Sequence, residues 1–238
     1  MINVRKKTLV ALVTVATAFG HYTWVAPTEA LTAGKPVKIM VAHGDRFPHG
    51  DEAIDAAQVK LWMLAANGAK TELKPIATKT TVLADFTPTT SGPHRIVFTQ
   101  DRGVMSRTPK GVKSGGRDKN PTATESFALL RTGLHYMGNV STAPVGLELE
   151  LTAKLENGAW NLQLLRAGKP LAGETVKVLL KEQETETAIG KSGADGKIVF
   201  TPAAGYKGPL LFLVELKEKL TGPVDSRTIS TSTFVTCI

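Results

Sequence analysis

Short runs in which apolar and polar residues alternate, broken by Gly, Pro, Asn and Asp, cover the chain from Ala30 onward. In residues 37–41 every second side chain is apolar, and the same alternation recurs in residues 59–64. Successive side chains of a strand point to opposite faces, so this period of two predicts strands packed mainly through one face. Little sustained helical periodicity is present. The pattern therefore predicts an all-β protein.

The first half of the chain is predicted to form one β-sandwich, residues 21–143. Further strands are indicated at 82–86 and 94–99. Between the earlier strands, Asn67-Gly68 is typical of a type I′ hairpin turn, in which both central residues need positive φ. Residues 123–137 are predicted to return as a strand rather than a helix.

The alternation is clearest after Pro144, where Leu147, Leu149 and Leu151 are separated by polar residues. Asn157-Gly158 then predicts a second hairpin turn. Further strands are predicted at 175–180, 197–200, 210–216 and 229–235. About seven short strands at this spacing are typical of an immunoglobulin-like module. We therefore predict two immunoglobulin-like β-sandwich domains in tandem, the second at residues 144–238.

Residues 1–20 resemble a cleaved signal peptide. Basic residues at positions 5–7 precede an apolar run from about position 9 to 18 that is too short to remain as a membrane anchor. The small-residue rule allows cleavage after Ala18 or after Gly20. The mature protein is therefore expected to be soluble and exported, in the periplasm of a bacterial cell.

The cleavage point decides the chemistry of His21. Cleavage after Gly20 makes His21 the first residue, so that its free amine and its imidazole can chelate one cation. Cleavage after Ala18 leaves Phe19-Gly20-His21, whose amine, amides and imidazole can surround a square-planar ion such as Cu(II) or Ni(II). The alternative is that His21 only begins the first strand.

Composition narrows the chemistry further. The formal net charge of the whole chain is +8, and removing the three basic residues of the signal peptide leaves about +5. The one cysteine, Cys237, excludes an intramolecular disulfide and a cysteine-based zinc site, and is expected to act as a small apolar residue.

Residues 102–119 are rich in Lys and Arg and are predicted to form a mobile, solvated basic loop. This loop can contact an anionic membrane surface or partner, but it lacks the interleaved aromatic residues expected of nucleic-acid binding.

Two imidazoles and several carboxylates lie in one short loop after the predicted strand 37–41. His43 follows the apolar phase of that strand, and Gly44 and Pro48 turn the chain back toward His49. We predict a metal site formed by His21, His43, His49 and Asp51. Asp45 and Glu52 are further carboxylates that can ligate directly or orient the histidines. The alternative is a polar surface loop with no ligand, and His94 and His135 are interpreted as structural residues.

Motifs of common enzyme classes are absent from the sequence: the Gly-x-Ser-x-Gly elbow, His-Glu-x-x-His, the phosphate-binding loop and a cysteine nucleophile near a histidine. We therefore predict that the protein is not an enzyme.

Several of these features, in this order, resemble the DUF4198 family. The features are His21-x-x-Trp24 after the signal peptide, the loop 44–51, the strand entry at Gly92-Pro93, and residues 168–173 followed by 194–197. The last pair also resembles transthyretin-like sandwiches. Some members are described as nickel-uptake substrate-specific or NikM-like components. The resemblance implies a periplasmic protein associated with nickel or cobalt uptake that serves inner-membrane metal transporter components. Nickel is therefore the first expectation for the bound ion, and cobalt and copper are the alternatives that the donor chemistry allows.

Two other functions are compatible with the sequence. One is an amino-terminal-histidine copper protein or oxygenase, although an aromatic content of 6% argues against the flat aromatic substrate face that an oxygenase needs. The other is a metal-free adhesion or scaffold module, in which the histidines do not converge.

Overall fold

The computed structural model describes residues 21–90, 92–137, 143–181, 183 and 185–237. The predicted signal peptide and its two cleavage points lie outside these residues. Within them the chain forms seventeen strands and one short 3-10 turn, Ala56–Gln58, so the predicted all-β fold is confirmed. None of the described residues belongs to a helix long and apolar enough to cross a membrane.

The strands are β1 (Tyr22–Pro27), β2 (Val37–Gly44), β3 (Val59–Ala65), β4 (Lys70–Leu73), β5 (Ile76–Ala77), β6 (Thr81–Phe86), β7 (His94–Thr108), β8 (Gly111–Ser114), β9 (Glu125–Met137), β10 (Leu149–Glu156), β11 (Ala159–Arg166), β12 (Lys169–Pro170), β13 (Thr175–Leu180), β14 (Thr187–Lys191), β15 (Lys197–Phe200), β16 (Gly208–Lys219) and β17 (Ser226–Cys237).

One nine-stranded sheet, which we call the central sheet, contains strands from both halves of the chain. Its order is β14-β13-β16-β17-β9-β7-β3-β4, with β8 added to β7. The parallel pair β9–β17 joins the two halves, and the other pairs within it are antiparallel. This continuous sheet spans both ranges of the predicted division into 21–143 and 144–238. That division stays a prediction.

Two smaller sheets pack on opposite faces of the central sheet. The N-terminal sheet, β1-β2-β6-β5, packs on the face that contains Phe98. The C-terminal sheet, formed by β10, β11, β12 and β15, packs on the face that contains Val97. Because neighbouring residues of a strand point to opposite sides, these two side chains belong to different hydrophobic cores. The protein therefore has sandwich packing on both sides of one shared sheet.

The two predicted Asn-Gly hairpins form, with different turns. Asn157 and Gly158 have φ values of 51° and 78°, as a type I′ turn requires. At Asn67-Gly68 only the glycine has positive φ, 82°, so the β3–β4 connection is not the type I′ turn expected from the sequence.

Residues 102–119 are not a loop throughout, contrary to the sequence-based expectation. The segment contains the end of β7, the strand β8 and a turn that Arg117 fastens by two hydrogen bonds to the carboxylate of Asp225, at 3.2 and 2.8 Å. Arg117 holds the pKa of Asp225 below its usual range. The prediction from composition was wrong because strand pairing in an exposed hairpin satisfies the backbone N–H and C=O groups while the basic side chains face solvent.

Candidate metal centre

The start of β1 and the end of β2 lie side by side at one end of the N-terminal sheet. In the antiparallel register Thr23 is opposite His43, and His21 directly precedes β1. The loop after β2 then returns to the same place, because the backbone N–H groups of Asp51 and Glu52 both donate to the carbonyl oxygen of His43, each at 3.1 Å. Strand pairing and this loop closure therefore bring residues 21, 43 and 52 together.

His21, His43 and Glu52 form a compact group that we call the His-His-Glu cluster. Each residue contributes one ligand atom, and all three of these atoms lie within 4.8 Å of one another. His21 Nδ1 is 2.8 Å from Glu52 Oε1, and His43 Nε2 is 3.4 Å from Glu52 Oε2. Metal–ligand bonds of about 2.0–2.2 Å place donors roughly 3–4 Å apart. Small side-chain rotations therefore suffice to direct all three donors to one ion.

The hydrogen bonds of His43 determine which of its nitrogens faces the cluster as a ligand. His43 Nδ1 lies 2.7 Å from the carbonyl oxygen of Tyr22, and a carbonyl can only accept, so Nδ1 carries the proton. The hydroxyl of Thr23, 2.9 Å from the same nitrogen, stabilises this orientation. The lone pair of Nε2 is thus left free, and Nε2 lies 3.4 Å from the carboxylate of Glu52.

Burial is the main reason why His43 stays neutral. His43 is 5% exposed, and burial together with the positive charge of Arg131 lowers its pKa to about 3. A neutral imidazole is the form that ligates metals. At neutral pH the unprotonated Nε2 and the Glu52 carboxylate are two electron-pair donors facing each other at 3.4 Å. A cation between them turns this repulsion into two attractive contacts.

Asp45 adds a second carboxylate at the rim of the cluster. Its Oδ1 atom is buried without a hydrogen-bond partner and lies 3.6 Å from His21 Nδ1. A buried carboxylate oxygen is costly to leave unpaired, so this atom is suited to a cation or to a ligand of that cation.

His49 and Asp51, both predicted as ligands, lie outside the His-His-Glu cluster. The side chain of His49 is exposed. The Asp51 carboxylate turns toward Gly44 and lies 4.0 Å from the Arg46 guanidinium. A Cβ atom on Gly44 would fall 1.6 Å from Asp51 Oδ1, and the φ of Gly44 is 138°, so only glycine fits there.

Glu52 takes the place expected for these two residues. The sequence marks Glu52 as one of several loop carboxylates that can ligate directly or orient the histidines, but it does not single Glu52 out among them. Its position depends on which amides close the loop onto His43, and no periodic pattern encodes that choice.

The two remaining described histidines have structural surroundings, as interpreted from the sequence. His94 Nδ1 hydrogen-bonds the carbonyl oxygen of Gly92 at 2.6 Å. His135 is 6% exposed and its ring lies 4.5 Å from that of Phe234. Burial lowers the pKa of His135 to about 4.

The buried histidines predict a loss of stability in mild acid. Unfolded histidine has a pKa near 6.5, so below that pH the unfolded chain binds protons that folded His135 refuses until about pH 4. The stabilisation that comes from keeping a buried histidine neutral is therefore fully present above pH 6.5. As the pH is lowered below that value, the free energy of unfolding falls by about 1.4 kcal/mol per pH unit for each such histidine. His43 contributes with the same sign down to about pH 3.

Urea denaturation of the metal-free protein between pH 7 and pH 4 measures this effect. The variant His135→Leu should have a shallower slope by about 1.4 kcal/mol per pH unit. An unchanged slope in that variant would show that His135 titrates normally in the folded protein.

Comparison with known proteins places the chain in a family without assigning an activity. A search of curated proteins found no match. A family described as a domain of unknown function, DUF4198, matches residues 18–215. This range includes all three residues of the His-His-Glu cluster and most of the central sheet. The narrower resemblance to nickel-uptake components stays a prediction. The chain belongs to the DUF4198 family.

Proposed function

We propose that the protein is an exported, periplasmic protein that binds one divalent transition-metal ion at the His-His-Glu cluster and assists nickel or cobalt uptake. The observation that carries this proposal is the opposition of His43 Nε2 and the Glu52 carboxylate at 3.4 Å, with His21 Nδ1 2.8 Å from the same carboxylate. The link to uptake, and to inner-membrane transporter components as partners, comes from the resemblance to nickel-uptake proteins.

The donor set favours a borderline ion. Two imidazoles and a carboxylate suit Co(II), Ni(II), Cu(II) and Zn(II), whereas soft ions prefer thiolates and thioethers. At such sites affinity normally rises from cobalt to nickel to copper and falls again at zinc. Tight binding of copper in vitro would therefore not identify the physiological ion.

Exposure of the cluster suits a protein that releases its ion. The side chains of His21 and Glu52 are 47% and 43% exposed, whereas that of His43 is 6% exposed. One buried ligand thus anchors the ion, and two accessible ligands leave it open to exchange. Structural zinc sites, by contrast, are closed and four-coordinate.

The ring nitrogen of His21 that faces the cluster is also relevant to signal cleavage. Nδ1 is the nitrogen that closes a six-membered chelate ring with the amine of the same residue. Cleavage after Gly20 would therefore add the free amine as a further donor beside Nδ1. This arrangement also supports the second candidate, an amino-terminal-histidine copper protein or oxygenase, which a peroxide-driven polysaccharide oxidation assay tests.

Calorimetry on the secreted protein, after mass spectrometry of its amino terminus, tests the proposed function. We expect one ion per chain for Ni(II), with affinity rising from Co(II) through Ni(II) to Cu(II) and lower for Zn(II). A double variant, His21→Gln with His43→Gln, provides the reference. If the secreted protein binds all four ions no more tightly than this reference, the protein is not a metal carrier and the scaffold alternative takes its place.

A further inference from the structure

Arg131 is a buried cation in the central sheet. It lies in β9, opposite Gln100 of β7 and Ser230 of β17. Its residue is 9% exposed, and burial, followed by the charge of Arg102, lowers its pKa to about 10. A guanidinium that remains charged at neutral pH is therefore held in a largely buried position.

Arg131 lies on the face of the central sheet that the N-terminal sheet covers. Gly133, on the same side of β9, is in close contact with the ring of Phe98, which packs in the core beneath the N-terminal sheet. Beside Gly133, the hydroxyl of Ser232 donates to the carbonyl oxygen of Thr23 at 2.6 Å. Thr23 is the residue opposite His43. Arg131 therefore lies beneath the start of β1, close to the His-His-Glu cluster.

The guanidinium of Arg131 has few partners for its burial. Its Nη1 donates to Gln100 Oε1 at 3.1 Å, and among the described residues no carboxylate lies within ion-pair distance of it. A guanidinium has five N–H donors, of which only a donor on Nη1 has a partner among the described residues, and the carboxylates of Glu215 and Glu52 act on it from beyond ion-pair distance. The remaining donors are thus available to an anionic ligand.

The charges around the cluster lead to the same conclusion. The carboxylates of Asp45, Glu52 and Glu215 act on the cluster or on Arg131. The guanidinium groups of Arg102 and Arg131 act on His43 with the opposite sign. Three negative and two positive groups sum to −1, and a divalent ion changes this to +1. The net positive charge of the loaded site favours an anionic ligand supplied with the ion.

We propose that the site takes its metal as a complex with a small carboxylate chelator, one carboxylate of which pairs with Arg131 while another remains on the ion. This inference rests on the proposed function. Three protein ligands leave coordination positions open for such a chelator. The planar guanidinium fork matches a carboxylate in two parallel hydrogen bonds, which a single ammonium group cannot reproduce.

Calorimetry with Ni(II) alone and with Ni(II) plus equimolar citrate tests the proposal on the secreted protein and on Arg131→Gln. In the presence of citrate we expect Arg131→Gln to bind nickel at least tenfold more weakly than the wild-type protein, as the loss of a charge-assisted hydrogen bond implies. Without citrate, the variant should bind nickel as tightly or more tightly, because a repelling cation is gone. Acetate and inorganic phosphate, tested in place of citrate, separate a chelating carboxylate from any anion.

Controls keep the test decisive. Arg95→Gln removes a second buried arginine, 9% exposed, from β7 on the opposite face of the sheet, and should leave the citrate effect unchanged. Arg131→Lys keeps the charge if the glutamine variant fails to fold, and should lose part of the citrate effect. An equal effect of citrate on the wild-type protein and both Arg131 variants would overturn the chelator proposal alone. Failure of nickel to bind the wild-type protein without citrate would overturn the proposed function itself.

Discussion

Replacing His43 by glutamine should weaken nickel binding by more than about 100-fold. His43 is the buried ligand of the His-His-Glu cluster. Its ring is oriented by the hydrogen bond from Nδ1 to the carbonyl oxygen of Tyr22, at 2.7 Å. Residues that only orient a metal ligand typically contribute 10–100-fold to affinity, so loss of a ligand itself should cost at least as much. Calorimetric titration with Ni(II) measures the change.

The matched control is His49→Gln, in the same loop. His49 is exposed and lies outside the cluster, so its replacement should change the affinity by less than about threefold, as expected for a surface substitution of roughly 0.5 kcal/mol. Equal losses in the two variants would mean that the loop binds nickel through a different set of residues from the one described here.

Replacing Phe47 by alanine should destabilise the protein by about 3–5 kcal/mol. The side chain is 1% exposed and packs edge-on against the rings of Trp24 and Phe234, with ring centroids 5.5 and 5.4 Å away. Glu52 belongs to the same loop as Phe47. Phe47 anchors this loop in the core that lies between β1, β2 and the C-terminal strands of the central sheet. The variant should therefore also bind nickel more weakly at temperatures where it remains folded.

Urea denaturation at neutral pH measures the loss, with Ile76→Ala as the reference. Ile76 is 55% exposed on β5, and its truncation should cost less than about 0.5 kcal/mol. A Phe47→Ala variant of wild-type stability would show that the loop folds independently of the aromatic cluster.

The strands could be predicted from the sequence because alternation records which face of a strand is buried. Residues 175–180 and 197–200 were bounded correctly, and β9 formed where a returning strand was expected. Alternation does not say which strand is the neighbour. The parallel pairing of β9 with β17, which makes one sheet of both halves, is therefore not visible in the sequence.

The candidate site could be predicted only in part. The sequence singles out His21 by its place after the predicted signal peptide and His43 by its phase at the end of the strand, and the antiparallel pairing of β1 and β2 brings these two residues together. The spacing of His43 and His49 in a turning loop predicts that both reach one ion, whereas the place of Glu52 depends on how the loop closes onto His43. Arg131 lies far from the loop in sequence and is brought to it only by the packing of the N-terminal sheet on the central sheet.

Anomalous diffraction from crystals of the secreted protein soaked in Ni(II) tests the central claim most directly. We expect a single strong peak about 2.0–2.2 Å from His21 Nδ1, His43 Nε2 and a carboxylate oxygen of Glu52. A peak at His49 and Asp51 instead, or no peak at the His-His-Glu cluster under conditions where calorimetry shows binding, would contradict the account.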